Sequence, residues 1–344
     1  SKDMTKRRSD RANSLDVARL AGVSIAAVSR AFTPGSSISD ELAEKVRRAA
    51  RQLNYVPNSL ASSLITRQTN IVALMLPRMS NPIYAAMLAE VSRRLEELNK
   101  QVLLFTPSDE SDFDRSLGRM LEYQVDAIVI AAATISNRMA ALCLDRNVPV
   151  VMLGRHVPGL PVHSVRPNAR DGGTRAAELL LRGGGRRFGI VAGPSSLTTM
   201  VERQRAVVDR LQAAPDASVV AIVDGGLTYE GGYEAALAIM DRADRPDSVV
   251  CMTDIMALGA MDAIRHRLSL RIPDDVAIIG FDDIAEAAHA SYSLTTVKTP
   301  LVEMVGHMID LIAMPETDAA PRIVEIDAEL VVRRSTRAAH PAAQ

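Results

Sequence analysis

Between Ala21 and Phe32 the chain reads AGVSIAAVSRAF, a run of small residues with one charged side chain, Arg30. Gly22 can end the helix before it, because glycine takes the left-handed closing conformation without a Cβ penalty. Ser24 can cap the helix that follows. Gathering Val17, Ala18, Ala21, Val23, Val28 and Phe32 into one small core leaves Ile25, Ala26, Ser29, Arg30 and Thr33 facing outward. Two short helices joined this tightly have helix-turn-helix geometry. The second helix of such a motif enters the major groove of DNA, and its first turns reach the base edges. The chemistry would be recognition, not bond-making. A plain helical hairpin carries the same pattern, so on these residues alone both readings stay open.

Elsewhere the reactive residue types do not assemble into a reaction centre. Asp282, Asp283, Glu286 and His289 have metal-ligand spacing, but no nearby cysteine or second histidine joins them. The run RGGGRR at 182–187 resembles a phosphate loop but lacks the lysine and the Ser or Thr that follow one. It reads as a helix-to-strand turn. No Ser-His-Asp, HExxH or nucleophile-elbow pattern is present. Cys143 and Cys251 sit in the apolar contexts AALCLDR and SVVCMTD. They read as buried, inert thiols of a reducing compartment. No cofactor, metal or enzymatic activity is expected.

Positioning an outward arginine requires a folded head, and the charge is distributed accordingly. Residues 1–70 hold 12 Lys and Arg against 6 Asp and Glu, whereas the remaining 274 hold 28 against 35. A basic head on an acidic body suits a polyanionic partner. The 344 residues suffice for two or three domains, and with aromatics at 3% and no Trp the core must be aliphatic and Met. The opening SKDMTKRRSD has no apolar run, and no stretch reaches the ~18 apolar residues of a membrane span. A cytoplasmic protein is expected, with Ser1 marking a processed end.

The head reads as helices over 14–21 and 25–33, then a third from SDELAEKVRRAARQL, capped by Ser39 and stopped at NYVPN. SLASSLITRQTN follows as a short weak helix or linker. From Ile71 the pattern changes. IVALMLP, QVLLF, DAIVIAA, PVVML, RFGIVAG, SVVAIVD, SVVCM and DVAIIGF alternate with amphipathic segments such as NPIYAAMLAEVSRRLEEL and TMVERQRAVVDRLQAA. Continuous Val/Ile runs between helices indicate parallel sheets covered on both faces. A change of character near Val165 indicates two doubly wound lobes, with any ligand at the carboxyl ends of the strands between them. The expected divisions are a helix-turn-helix head at 1–57, a short weak helix or linker at 58–70, and a two-lobed body at 71–340.

LDVARLAGVSIAAVSRAF and KVRRAARQLNYVPNSLASSL resemble the DNA-binding head and hinge of the lactose-repressor (LacI/GalR) family of bacterial regulators. VALMLPRMSNPIYAAMLAEV, RRFGIVAGPSSLTTMVERQRAVVDRL, CMTDIMALGAMDAI, IPDDVAIIGFDDI and SLTTVKTP continue the resemblance in order over roughly residues 13–335. It implies a homodimer on a near-palindromic double-stranded operator, with a small effector between two periplasmic-binding-protein-like lobes. Ile25, Ala26 and Arg30 fall at the family's base-reading positions. The first two lack donors and are left with thymine methyls or groove shape, while Arg30 can pair with guanine O6 and N7. Ser24, Ser29 and Thr33 fall where phosphate contacts are expected. Asn58 belongs to the hinge, and Leu64 holds the position of the leucine wedged into the minor groove. Ser59, Ser62 and Ser63 make that hinge a poor isolated helix, so its folding should depend on DNA and the partner hinge.

In the body the resemblance places Arg203 and Asp282 at the effector, facing each other across the cleft, with Asn81, Tyr84 and Thr253 nearby. Arg205 should face away, and Asp283 should cap the next helix. An arginine opposite an aspartate suits a polyhydroxyl ligand. A ligand-free salt bridge between the lobes is the plainer alternative. The chain departs from the family where Thr253, Asn168 and Gly154 replace a frequent Asn and two frequent aspartates. With Arg155 and Arg166 close by, this favours a sugar acid or phosphorylated sugar. The tail RRSTRAAHPAAQ has no leucine heptads for a tetramer bundle, so a dimer is expected. Together these features predict a repressor-type transcription regulator. A sugar receptor without DNA function and a doubly wound enzyme are the competing readings. The basic head and absent export signal weigh against the first, and the missing nucleophile and cofactor fingerprint against the second.

Overall fold

The structure, a computed structural model, describes residues 12–33, 35–56, 69–76, 80–107, 112–131, 136–314 and 320–338. Asn58, Leu64 and the hinge serines lie outside the described residues. The chain forms two compact units that divide between Thr69 and Asn70.

The first unit has three described helices: α1 (Ser14–Ala21), α2 (Ile25–Phe32) and α3 (Asp40–Gln52). Asn13 caps α1 in a reciprocal box with Asp16, and Gly22 closes it at φ 64°. Ser24 Oγ accepts from Ala27 N at 3.2 Å to start α2. Ser39 caps α3, whose first turn is acidic and last turn basic, as the helix dipole favours. Val17, Ala18, Ala21 and Val28 are buried as the pattern required, while Val23 and Phe32 are only partly covered. Ala27, Ala31 and the α3 residues Ala43, Val46, Ala49 and Ala50 complete the core.

The second unit holds two six-stranded sheets. The N-terminal lobe is built from β1 (Ile71–Met75), α4 (Pro82–Glu97), β2 (Gln101–Phe105), α5 (Phe113–Glu122), β3 (Ala127–Ala131), α6 (Asn137–Asp145), β4 (Val150–Leu153) and β5 (His163–Pro167). The C-terminal lobe follows with α7 (Ala169–Arg182), β6 (Arg187–Ala192), α8 (Thr198–Gln212), β7 (Ser218–Asp224) and α9 (Tyr229–Met240). It continues through β8 (Ser248–Cys251), α10 (Asp254–Asp262), β9 (Ala277–Asp282) and β10 (Thr295–Lys298). The chain then returns to the first lobe for α11 (Leu301–Ile312) and β11 (Ile323–Ile326), and crosses a third time to β12 (Glu329–Val331). The strand orders are β11-β5-β4-β3-β1-β2 and β12-β10-β9-β8-β6-β7, parallel throughout except for β12 against β10.

All eight strands read from the sequence are present. The four it did not separate, β5, β10, β11 and β12, are short, and their runs HSVRP, TTVK, IVEI and ELV mix polar with apolar residues. The three crossovers give the N-terminal lobe one strand, β11, from beyond Val165, whereas every strand of the C-terminal lobe lies after that residue. Cys143 and Cys251 are buried and unpaired by disulfide. Burial pushes the Cys143 thiol up to about 11 and that of Cys251 further.

Candidate functional site

On the first unit, α2 buries Ala27, Val28 and Ala31 and turns its other face to solvent. Ile25 is 50% exposed, Ala26, Arg30 and Thr33 are exposed, and Ser29 is half-buried. The solvent face of α2 thus offers an apolar side chain and a guanidinium, the two kinds of contact that read base edges in a groove. Two hydroxyls already have local partners. Ser24 Oγ accepts the cap bond but keeps its proton, whereas Thr33 Oγ1 donates to Ser29 O at 2.9 Å. Arg47 Nη2 donates to Ala31 O and steadies the carboxyl end of α2.

In the second unit a cavity of about 80 Å³ opens between the lobes at the carboxyl ends of their strands. Asn81, Tyr84, Arg203, Thr253 and Asp282 all line it, as do Gly154, Arg155, Thr199 and Thr299, with walls that include Met87, Met200 and Met304. Asp282 ends β9 and is buried. Its Oδ1 accepts from Arg203 Nη1 and Nη2 at 3.4 Å and from Thr299 Oγ1 at 3.3 Å, and its Oδ2 accepts from Asn81 Nδ2 at 3.4 Å. Arg203 also donates to Met252 O at 3.0 Å and lies over the Phe281 ring, 4.8 Å from its centroid. Burial raises the Asp282 carboxyl above its usual range, and the Arg203 guanidinium opposes that rise. Burial and the Asp282 charge push the Tyr84 phenol up to about 12, so it stays a neutral hydrogen-bond donor.

The arginine and aspartate do not face each other across the cleft. Arg203 stands on α8 and Asp282 at the end of β9, both in the C-terminal lobe, because the helix after β6 packs beside the same sheet that carries β9. This excludes a salt bridge between lobes as the role of that pair. Side chains that do cross include Asn81, the N-cap of α4, which donates to Asp282, and Arg166 on β5, which pairs with Glu202 on α8. Thr199 Oγ1 crosses in the other direction to Gly154 O at 3.1 Å. Arg205 points outward, 74% exposed. Asp283 caps no helix and instead pairs with Arg333 at 2.7 Å. Of the two arginines thought to make the pocket basic, only Arg155 lines it. Arg166 holds Glu202 and Glu325 outside, and Asn168 caps α7 and donates to Asp327.

Thr253 Oγ1 is buried in the lining without a hydrogen-bond partner. A buried orphan hydroxyl costs about 1–3 kcal/mol, and a ligand hydroxyl would relieve that cost. Asp282 and Asp283 both hold left-handed backbone, φ 114° and 57°, a strain of order 1–3 kcal/mol each. Thr199 and Thr299 escaped sequence reasoning because no motif marks a lone threonine. Thr299 would have been found had TTVK been read as a strand, since it sits just past the carboxyl end.

Comparison with known proteins fits this geometry. Residues 15–58 match the bacterial regulatory proteins of the lacI family, and residues 177–336 a periplasmic binding protein-like domain. The HTH-type transcriptional regulator CelR of Thermobifida fusca is 32% identical, with 93% of this chain and 96% of that protein covered. The ribose operon repressor of Haemophilus influenzae is 30% identical over 84% and 87%. Among solved structures, a lac repressor dimer bound to operator and the anti-inducer ONPF superposes with a TM-score of 0.85. It covers 95% of this chain and 99% of that one at 24% identity, a likeness of fold. The CelR–cellobiose complex gives 0.68 at 30% identity, covering 94% and 100%. A reading helix joined to a two-lobed body, matched along nearly its whole length by such regulators, makes this chain a member of the lacI family: a DNA-binding transcription regulator, not an enzyme.

Proposed function

We propose that the chain represses transcription as a homodimer on a near-palindromic operator in the cytoplasm, and that a sugar or sugar acid bound between its lobes controls operator binding. The observation that carries this is the buried polar cluster of the interlobe cavity. Arg203, Asp282, Asn81 and the unpartnered Thr253 hydroxyl converge there among apolar walls. Paired donors and acceptors suit hydroxyl groups, and methionine walls suit the C–H faces of a sugar ring. Relatives named for ribose regulation and a CelR complex with cellobiose point to the same ligand class. The lining carries two guanidinium groups and one carboxylate, a composition that admits a sugar acid as well as a neutral sugar.

The cavity of about 80 Å³ falls well short of the ~300–1,000 Å³ usual for ligand sites. A sugar therefore enters only as the lobes part or the lining rearranges, which couples occupancy to lobe geometry. The two-fold symmetry of a homodimer would match an operator palindrome. A thermal-shift series with cellobiose, ribose, glucose, glucuronate and glucuronamide tests the ligand class. A ligand at 100-fold its Kd adds about 2.7 kcal/mol of stability. Glucuronate raising the melting temperature above its uncharged amide supports a sugar acid. A neutral sugar acting alone leaves the sugar reading and removes the acid. No shift with any sugar, alongside sound operator binding, contradicts the sugar reading.

A further inference from the structure

We propose that Asp254 is a positioning residue that aims the effector contacts Asp282 and Thr253 into the interlobe cavity without touching ligand. Asp254 is fully buried at the start of α10, immediately after Thr253 in the chain, and it does not line the cavity. Its Oδ2 accepts from Ile284 N at 3.0 Å and its Oδ1 from Thr296 Oγ1 at 2.6 Å. One carboxylate thus ties the start of α10 to the turn after β9 and to the middle of β10.

That turn is what needs tying. Asp282 and Asp283 both occupy left-handed backbone, which non-glycine residues adopt only when surrounding contacts enforce it. Enforcement comes from two sides. Arg333 holds the Asp283 side chain and, through Nη1, Leu294 O, while Asp254 holds the next backbone N–H, that of Ile284. Gly280 on β9 makes room for this arrangement, since a Cβ there would stand 2.2 Å from Asp254 Oδ1. Without the Ile284 anchor, the turn can relax toward ordinary backbone, and the Asp282 carboxylate swings from Arg203 and Asn81. Thr253 loses its fixed direction with it, because its neighbour no longer pins the helix start. The proposal rests on the reading of the cavity as the effector pocket.

Hydrogen exchange and sugar binding of the whole chain test the two parts separately. Three variants are compared with the parent: Asp254→Ala, Asp254→Asn and Thr296→Val. Asparagine keeps an acceptor for Ile284 N, and valine at 296 removes one donor only. In Asp254→Ala the amides of residues 282–284 should exchange roughly tenfold faster or more, while β6 and β8 stay at parent rates. Asp254→Asn should restore slow exchange. Cellobiose, ribose and glucuronate, titrated calorimetrically, should lose roughly tenfold or more affinity with Asp254→Ala and little with Asp254→Asn. Unchanged exchange at 282–284 overturns the proposal, as does equal loosening of the whole lobe, which marks a merely structural residue. If Asp254→Ala fails to fold, Thr296→Val decides: parent-like exchange at 282–284 together with parent-like titrations overturns it. If none of the three sugars binds the parent, the effector reading fails for them, and the exchange data still decide whether Asp254 holds the turn.

Discussion

Arg30 is the single charged side chain of α2, and it stands on the exposed face beside Ile25 and Ala26. A guanidinium flanked by residues without donors should supply most of the hydrogen-bonding discrimination of this helix. Arg30→Ala is expected to cost about 1–3 kcal/mol at the cognate operator and to relax preference at one base pair per half-site. Binding to operators varied position by position checks it, and a uniform loss across sequences would make Arg30 a phosphate contact. In the body, burial raises the Asp254 carboxyl well above its ordinary 3.8, and the neighbouring Asp282 charge adds to this. A carboxyl with a raised folded pKa gives stability that is complete below its unfolded value and lost as pH rises through the folded one. Asp254→Asn, uncharged throughout, should therefore flatten the fall in urea midpoint as pH rises from about 4. A parent-like slope would show that Asp254 does not titrate in that range. Arg203, Asp282, Asn81, Tyr84 and Thr253 were legible as residues from motif positions. Which lobe held each was not, because no local pattern records that α8 and β9 pack in the same lobe.

At the scale of elements, caps and periodicity carried the reading furthest. Asn13, Ser24 and Ser39 are caps with side-chain acceptors in place, and α1 has the bounds its sequence implied. Ser24→Ala should cost the head about 1 kcal/mol, measurable as a lowered melting temperature of the first unit with operator specificity retained. The strands missed are short runs that mix polar with apolar residues. β11 runs beside β5 and β12 beside β10, pairings that depend on three crossovers and not on local alternation. The packing of α9 on α10 was equally hidden. A Cβ at Gly259 would stand 2.0 Å from Tyr229 O, and one at Gly232 would stand 2.1 Å from Met256 O. Backbone at that distance cannot yield as a side-chain tip can. Gly259→Ala should destabilise the second unit by about 3 kcal/mol. A variant that melts with the parent in urea would show that the helices separate freely.

For the molecule as a whole, regulation requires that a ligand between the lobes alter how two heads meet DNA. The Asn81–Asp282 and Thr199–Gly154 bonds link the lobes at the cavity, so a ligand competing for these groups favours one lobe arrangement over another. A ligand shifts operator binding only by its differential affinity for the two arrangements, typically 1–3 kcal/mol. We propose that Leu64, outside the described residues, acts at the other end of this path. Leu64→Ala should weaken operator binding while leaving sugar affinity for the free protein intact. The decisive measurement is operator affinity of the parent and of Arg203→Ala, each titrated with the sugar or sugar acid that stabilises the parent. The account predicts that the sugar shifts operator affinity of the parent by about 5–150-fold, and that Arg203→Ala binds operator normally but no longer responds. An Arg203→Ala protein that responds to the sugar as the parent does would contradict it.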